Sequence, residues 1–197
     1  VSGPRVVLAT HNAHKVAELQ GIVARVRPDI EVVGYDGPEP VEDGTTFAQN
    51  ALIKARAAAA HTGLVALADD SGVCVDVLGG SPGVFSAYWA GHAKNDGANL
   101  ALLLDQLSDL TDPADRAAHY TSVIAVVRPT GEETTVEGIW PGRLATAPRG
   151  DGGFGYDPVF VPEGSDRTAA ELSAAEKNVV SHRARALEAL APILAAL

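Results

Sequence analysis

The stretch from Leu64 to Trp89, LVALADDSGVCVDVLGGSPGVFSAYW, decides how the chain is read. Its apolar start, Leu64 to Ala68, predicts a buried strand that stops at Asp69-Asp70-Ser71-Gly72. A second strand is predicted over Val73 to Leu78, after which Gly79-Gly80-Ser81-Pro82-Gly83 turns the chain again. Val84 to Trp89 reads as a further strand. Two adjacent carboxylates at the end of a buried strand repel one another and resist leaving water. Either they hydrate freely in an Asx-type turn, or a cation sits beside them. Mg²⁺ is the natural candidate, because it takes one or two carboxylates together with substrate phosphates.

Upstream, Arg5 to Ala9 predicts a short strand, and Val16, Leu19, Ile22, Val23 and Val26 are spaced as one buried helix face. Asn12 is placed to cap that helix. Its free N–H groups and the positive end of its dipole then point past the strand end. With the Thr10 hydroxyl, the Asn12 amide and the Lys15 ammonium, the turn reads as a phosphate cradle without Walker glycines. A capped turn with a solvated lysine is the plainer reading. Glu31 to Gly34 predicts another strand, and Tyr35 to Gly44 an acidic, proline-bearing loop that includes Glu42. Thr46-Phe47-Ala48-Gln49 matches a capping box opening an alanine-rich helix, with Gly63 at its C-terminal cap. Phe47, Asn50, Ala51 and Lys54 share one stripe of that helix. An amide and an ammonium on a core-facing stripe require polar partners.

Downstream, a helix is expected from Asp96 with Leu100, Leu103, Leu104 and Leu107 buried. Ala118 to Val127 and Glu133 to Ile139 form an antiparallel pair, and Val159 to Val161 closes the sheet. In Arg149-Gly150-Asp151-Gly152-Gly153-Phe154-Gly155-Tyr156-Asp157-Pro158, the glycines admit close backbone approach to a ligand. Phe154 is either a base-stacking platform or a ring packed on the core. Ser173-Ala174-Ala175-Glu176 is a further capping box. Lys177 and His182 lie far apart around one straight helix, so they can reach one ligand only if the helix breaks near Ser181.

The 197 residues, 46% hydrophobic and 20% charged, suit one buried domain spanning 1–197. A net charge of −10 argues against a nucleic-acid backbone as the main partner. It leaves room for a phosphorylated small molecule met by local lysines and arginines. The chain offers no membrane-length apolar run and no leader, so the expected location is cytoplasmic. Cys74, the single cysteine, reads as a core residue.

The five stretches Thr10-x-Asn12-x-x-Lys15, Phe47-x-x-Asn50-Ala51-x-x-Lys54-Ala55, Ala68-Asp69-Asp70-Ser71-Gly72, Gly152 to Pro158, and Glu176-Lys177 with Ser181-His182-Arg183 together resemble the inosine triphosphate pyrophosphatase family. The resemblance implies an α/β fold, an elongated mixed sheet flanked by helices in two lobes with a nucleotide-binding cleft between them, and a homodimer. It implies Mg²⁺-dependent cleavage of ITP, dITP or XTP to the monophosphate and pyrophosphate. In it, Asp70 is the general base and a metal ligand, with Asp69 beside it and Glu42 as the acidic loop ligand. The segment Thr10, His11, Asn12, Ala13, His14 and Lys15, assisted by Lys54, holds the triphosphate; neither histidine carries a role of its own. Ser71, Phe154, Gly155, Tyr156, Asp157, Lys177, His182 and Arg183 hold the nucleoside. The alternatives are a pyrophosphatase for modified pyrimidine nucleotides and a nucleotide sensor that does not hydrolyse.

Overall fold

The computed structural model describes residues 3–197, apart from the side chains of His14 and Glu18. Six strands form one sheet in the order β2-β1-β3-β4-β5-β6: β1 Arg5–Leu8, β2 Glu31–Gly34, β3 Val65–Val75, β4 Ala117–Val127, β5 Glu133–Leu144 and β6 Phe160–Pro162. The helices are α1 Ala13–Val26, α2 Phe47–Thr62, α3 Asp96–Gln106, α4 Ala174–Val180 and α5 His182–Ala195. β1 pairs in parallel with both β2 and β3, whereas β5 and β6 are antiparallel. The link from β4 to β5, residues 128–132, is too short for a parallel crossover, so that pair is antiparallel as well. The sheet is therefore mixed, as expected.

Two compact units divide the chain: residues 1–70, 122–137 and 186–197 form the first, and 71–121 with 138–185 the second. In the first unit, strand alternation sorts the core into two layers. Val6, Leu8, Val32 and Leu67 meet Leu19 and Val23 of α1 and Leu190 and Leu194 of α5. Val7, Ala66 and Ala68 face the other way, onto Ala51, Ala55, Ala58 and Ala59 of α2. Those small residues let α2 lie close to the sheet. Its capping box on Thr46 and Gln49 and its left-handed cap at Gly63 stand where the sequence placed them. The second unit packs Val73, Val75, Leu103, Leu107, Tyr120, Trp140, Tyr156 and Phe160 into one core.

Two expectations are corrected. β3 runs unbroken through Asp69-Asp70-Ser71-Gly72, so no turn separates two strands there. Gly72 marks a close approach instead: a Cβ at that position would lie 2.4 Å from both Gly83 O and Ser86 Oγ. The Val73 N–H donates to Ser86 Oγ at 3.0 Å, tying the strand to the segment that crowds it. That segment, Gly83–Tyr88, is a 3₁₀ helix and not a strand. Gly83 enters it at φ +54°, the Phe85 N–H donates to Pro82 O, and Ser86 Oγ donates back to Gly83 O. These bonds curl the backbone, which the apolar residues alone did not reveal.

Candidate functional site

In the first unit, the chain leaves β1 through α1 to β2 on one side and returns through α2 to β3 on the other. The two parallel connections diverge between β1 and β3, and the carboxyl ends of strands at such a switch point form a natural ligand crevice. The Ala9 N–H donates to Leu67 O at 2.8 Å, so Thr10 emerges just past the paired strands. The Asn12 N–H then donates to Thr10 Oγ1 (3.2 Å), and the Lys15 N–H donates to Asn12 Oδ1 (3.4 Å), which caps α1 as expected. Lys15 Nζ stands 3.4 Å from both carboxylate oxygens of Asp69. His11 turns to the loop instead: its ring nitrogens lie 3.2 Å from Glu39 Oε1 and 3.1 Å from Gly37 O, and its ring stacks on Tyr35. Ala13 is the exposed first residue of α1. The side chain of His14 lies outside the described residues.

The polar stripe of α2 finds the partners its burial demands. Asn50, 3% exposed, donates from Nδ2 to Asp70 Oδ2 at 3.2 Å and accepts the Gly44 N–H on Oδ1 at 2.9 Å. Lys54 Nζ lies 2.8 Å from Glu42 Oε2 and 3.4 Å from Asp70 Oδ1. Burial alone pulls the Lys54 pKa down, but Asp70, Glu42 and Asp69 outweigh it and hold the ammonium above its ordinary value. Burial raises the Asp70 pKa. Lys54 and Asn50 oppose the rise, and the negative charge of Glu42 adds to it by repulsion.

The acidic residues are hard oxygen donors of the kind Mg²⁺ prefers. Glu42 and Asp70 converge on one ammonium, a cation already held at the point where a metal would be needed. Asp69 is engaged by Lys15 instead. Among the described residues no three acidic, histidine or cysteine side chains are drawn together as a ready-made metal cage. The donor chemistry thus fits a divalent cation at Glu42 and Asp70 once Lys54 moves to another anion.

The second unit assembles a different chemistry. Phe154 is 68% exposed, so its ring is not a core ring. The ammonium of Lys177 sits 4.9 Å from its centroid, a cation–π contact. Asp157, 2% exposed, pairs with that ammonium, accepts the Phe154 N–H at 2.9 Å and lies 3.4 Å from the Tyr120 hydroxyl. Gly153, at φ +70°, has to be glycine: a Cβ there would run into the Asp157 carboxylate. The Gly155 N–H donates to Asp96 Oδ2, and the buried Tyr156 hydroxyl donates to Ser86 O. Burial pushes the Tyr156 phenol well up, so it remains a neutral donor.

The helix does break at Ser181, the condition under which Lys177 and His182 could reach one ligand. Ser181 ends α4 with an extended backbone, and its Oγ accepts the Ala184 N–H to open α5. His182 thereby turns inward and stacks on Tyr120, with centroids 4.7 Å apart and planes 10° from parallel. Arg183 and Ser71 are half-buried. Tyr120 joins the Asp157 and His182 sides of this cluster and was not singled out by sequence. On a strand that runs on into Val123–Val127 it reads simply as core.

An α/β switch-point crevice set with paired carboxylates and lysines, in a chain that also displays a cation-backed aromatic ring, marks a protein that handles phosphorylated, ring-bearing small molecules. The chain belongs to the Ham1 family, whose model matches residues 6–193. A protein of Leifsonia xyli subsp. xyli named dITP/XTP pyrophosphatase is 62% identical over 98% of this chain and 96% of its own. One of the same name from Streptomyces coelicolor is 52% identical over 96% of each. The solved structure of a HAM1 protein from Coxiella burnetii superposes with a TM-score of 0.91 at 41% identity, covering 98% of this chain and all of that one. The resemblance read from the five motifs and the mixed α/β fold are both borne out. No helix among the described residues is long and apolar enough to cross a membrane.

Proposed function

We propose that the chain hydrolyses non-standard purine nucleoside triphosphates, ITP, dITP and XTP, to the nucleoside monophosphate and pyrophosphate. The observation that carries the reading is the Asp70 carboxylate, held between Lys54 and Asn50 at a switch point that also presents Lys15. The name shared by the relatives supports the substrate class.

In this reading Thr10, Asn12, Lys15 and the N-terminus of α1 bind the triphosphate, and Lys54 leaves its carboxylates for a phosphate oxygen. Asp70 orients a water and takes its proton as the water oxygen bonds to the α-phosphorus and the bond to the bridging oxygen breaks. Glu42 and Asp70, with Asp69 beside them, would hold Mg²⁺, which supplies charge neutralisation and orientation of the phosphates when bound. The departing pyrophosphate stays neutralised by Lys15 and Lys54.

The base stacks on Phe154 beside Lys177, while His182, Arg183 and Ser71 complete the nucleoside grip. A 6-oxo purine offers a carbonyl acceptor to these donors. Adenine offers an amino donor instead and leaves buried donors opposed, a mismatch that rejects by orders of magnitude. We place the enzyme in the cytoplasm as a homodimer, with 1–197 acting as one catalytic domain.

The test is Asp70→Asn. Pyrophosphate release from ITP should fall about 10²–10⁴-fold, the usual worth of a positioned base, while ITP binding by calorimetry persists. Undiminished turnover would remove Asp70 from its role. A panel of ITP, dITP, XTP, GTP and dUTP settles the substrate: preference for dUTP would favour the pyrimidine alternative, and binding without turnover a sensor.

A further inference from the structure

We propose that the second unit carries a binding site for a small phosphoryl anion, in the hollow walled by Arg116, Arg143 and Arg149. This proposal stands apart from the pyrophosphatase reading, and none of the residues assigned above lines the hollow.

The hollow has a volume of about 310 Å³, and Thr111 and Thr146 stand on its wall with the three arginines. No aspartate or glutamate among the described residues lines it. In a chain with 25 acidic against 15 basic side chains, a wall charged only positively runs against composition. Arg116 is 2% exposed, yet every partner of its guanidinium is a neutral carbonyl: Leu144 O from Nε, Leu107 O and Leu110 O from Nη1, and Ala145 O from Nη2. Those bonds use four of the five N–H groups an arginine has. They orient the guanidinium without neutralising it, and burial pulls its pKa down for want of a counter-charge.

A loop-fastening role accounts for Arg116 but not for its neighbours. Arg143 is half-buried on β5, and its side chain makes no hydrogen bond or ion pair among the described residues. Arg149 donates from Nη2 to Asp166 O, and among the described residues its one carboxylate contact is a long one, 3.8 Å from Nε to Glu171. Planar guanidinium forks match oxyanions and not a halide, and three of them around one hollow suit the several oxygens and higher charge of a phosphoryl group better than the two oxygens of a lone carboxylate. The volume lies at the lower end of the range for small-ligand sites, about 300–1,000 Å³. It suits pyrophosphate or the phosphate end of a nucleoside monophosphate, not a whole nucleoside triphosphate.

The test is a titration of the full chain with inorganic pyrophosphate, and separately with inosine monophosphate, in EDTA. It is followed by NMR of the arginine Nε–Hε groups and of the amides of residues 143–147, with calorimetry for stoichiometry. One binding step should shift the Arg143 signal. That step should weaken at least tenfold in Arg143→Gln and be only partly restored in Arg143→Lys, which keeps the charge but not the planar fork, with other steps unchanged. The stronger of the two titrants identifies which phosphoryl species the site takes. No shift at Arg143 with either titrant, or a step untouched by Arg143→Gln in a variant that melts as the parent does, overturns the proposal. If the pyrophosphatase reading fails instead, steps at Lys15 and Lys54 vanish while this one stays.

Discussion

Asn50 divides one buried amide between the loop that carries Glu42 and the carboxylate of Asp70. Its position is tight: a Cβ on Gly44 would come within 2.5 Å of Asn50 Oδ1. Asn50→Leu should therefore lower kcat about 10- to 100-fold, the worth of a hydrogen bond to a charged group. KM should change little, because the amide donates to Asp70, the proposed base, and has no part in the proposed triphosphate or nucleoside contacts. Steady-state kinetics on ITP checks this, and a change confined to KM would contradict it. Sequence exposed Asn50 and Lys54 as misplaced on an apolar stripe, which was enough to demand partners but not to name them. Tyr120 carried no such flag, because its neighbours Asp157 and His182 are 37 and 62 positions away in the chain.

Strand β3 shows why a local sign can mislead. Adjacent acids followed by glycine read as a turn when their own stretch is all that is considered. They stay in the strand because Lys15, Asn50 and Lys54, drawn from two helices, meet their charge. The glycine serves Ser86, not a reversal. Gly72→Ala should accordingly destabilise by about 1–3 kcal/mol through overpacking, read as a lower urea midpoint with an unchanged slope. Helix α2, by contrast, was legible end to end, since both its caps are written in residues adjacent to it. Helix α4 begins with the same kind of cap, and there Glu176 is pulled down to about 2, first by Arg167 and then by the Ser173 backbone and hydroxyl. Its folded pKa lies below the ordinary 4.5. The stabilisation it gives is thus present above about 4.5 and is lost as pH falls toward 2. Arg167→Ala should raise that pKa, as carboxyl-carbon NMR would report, and flatten the acid-side loss.

At the scale of the molecule, the charge pattern predicts how metal removal acts. Lys54 and Lys15 already offset Glu42, Asp70 and Asp69. Chelation should stop pyrophosphate release, and Mg²⁺ should restore it, without shifting the melting temperature. A large drop in melting temperature on chelation would mean that the metal also holds the fold. The division into two units has a different reach. The chain passes from one unit to the other at 70/71, 121/122, 137/138 and 185/186, three of these junctions inside β3, β4 and β5 or their direct continuation. No contiguous length of gene encodes either unit alone. Recombination of one contiguous segment could not have exchanged one unit whole without carrying part of the other, so the half that holds Asp70 and Lys54 and the half that displays Phe154 have been inherited together.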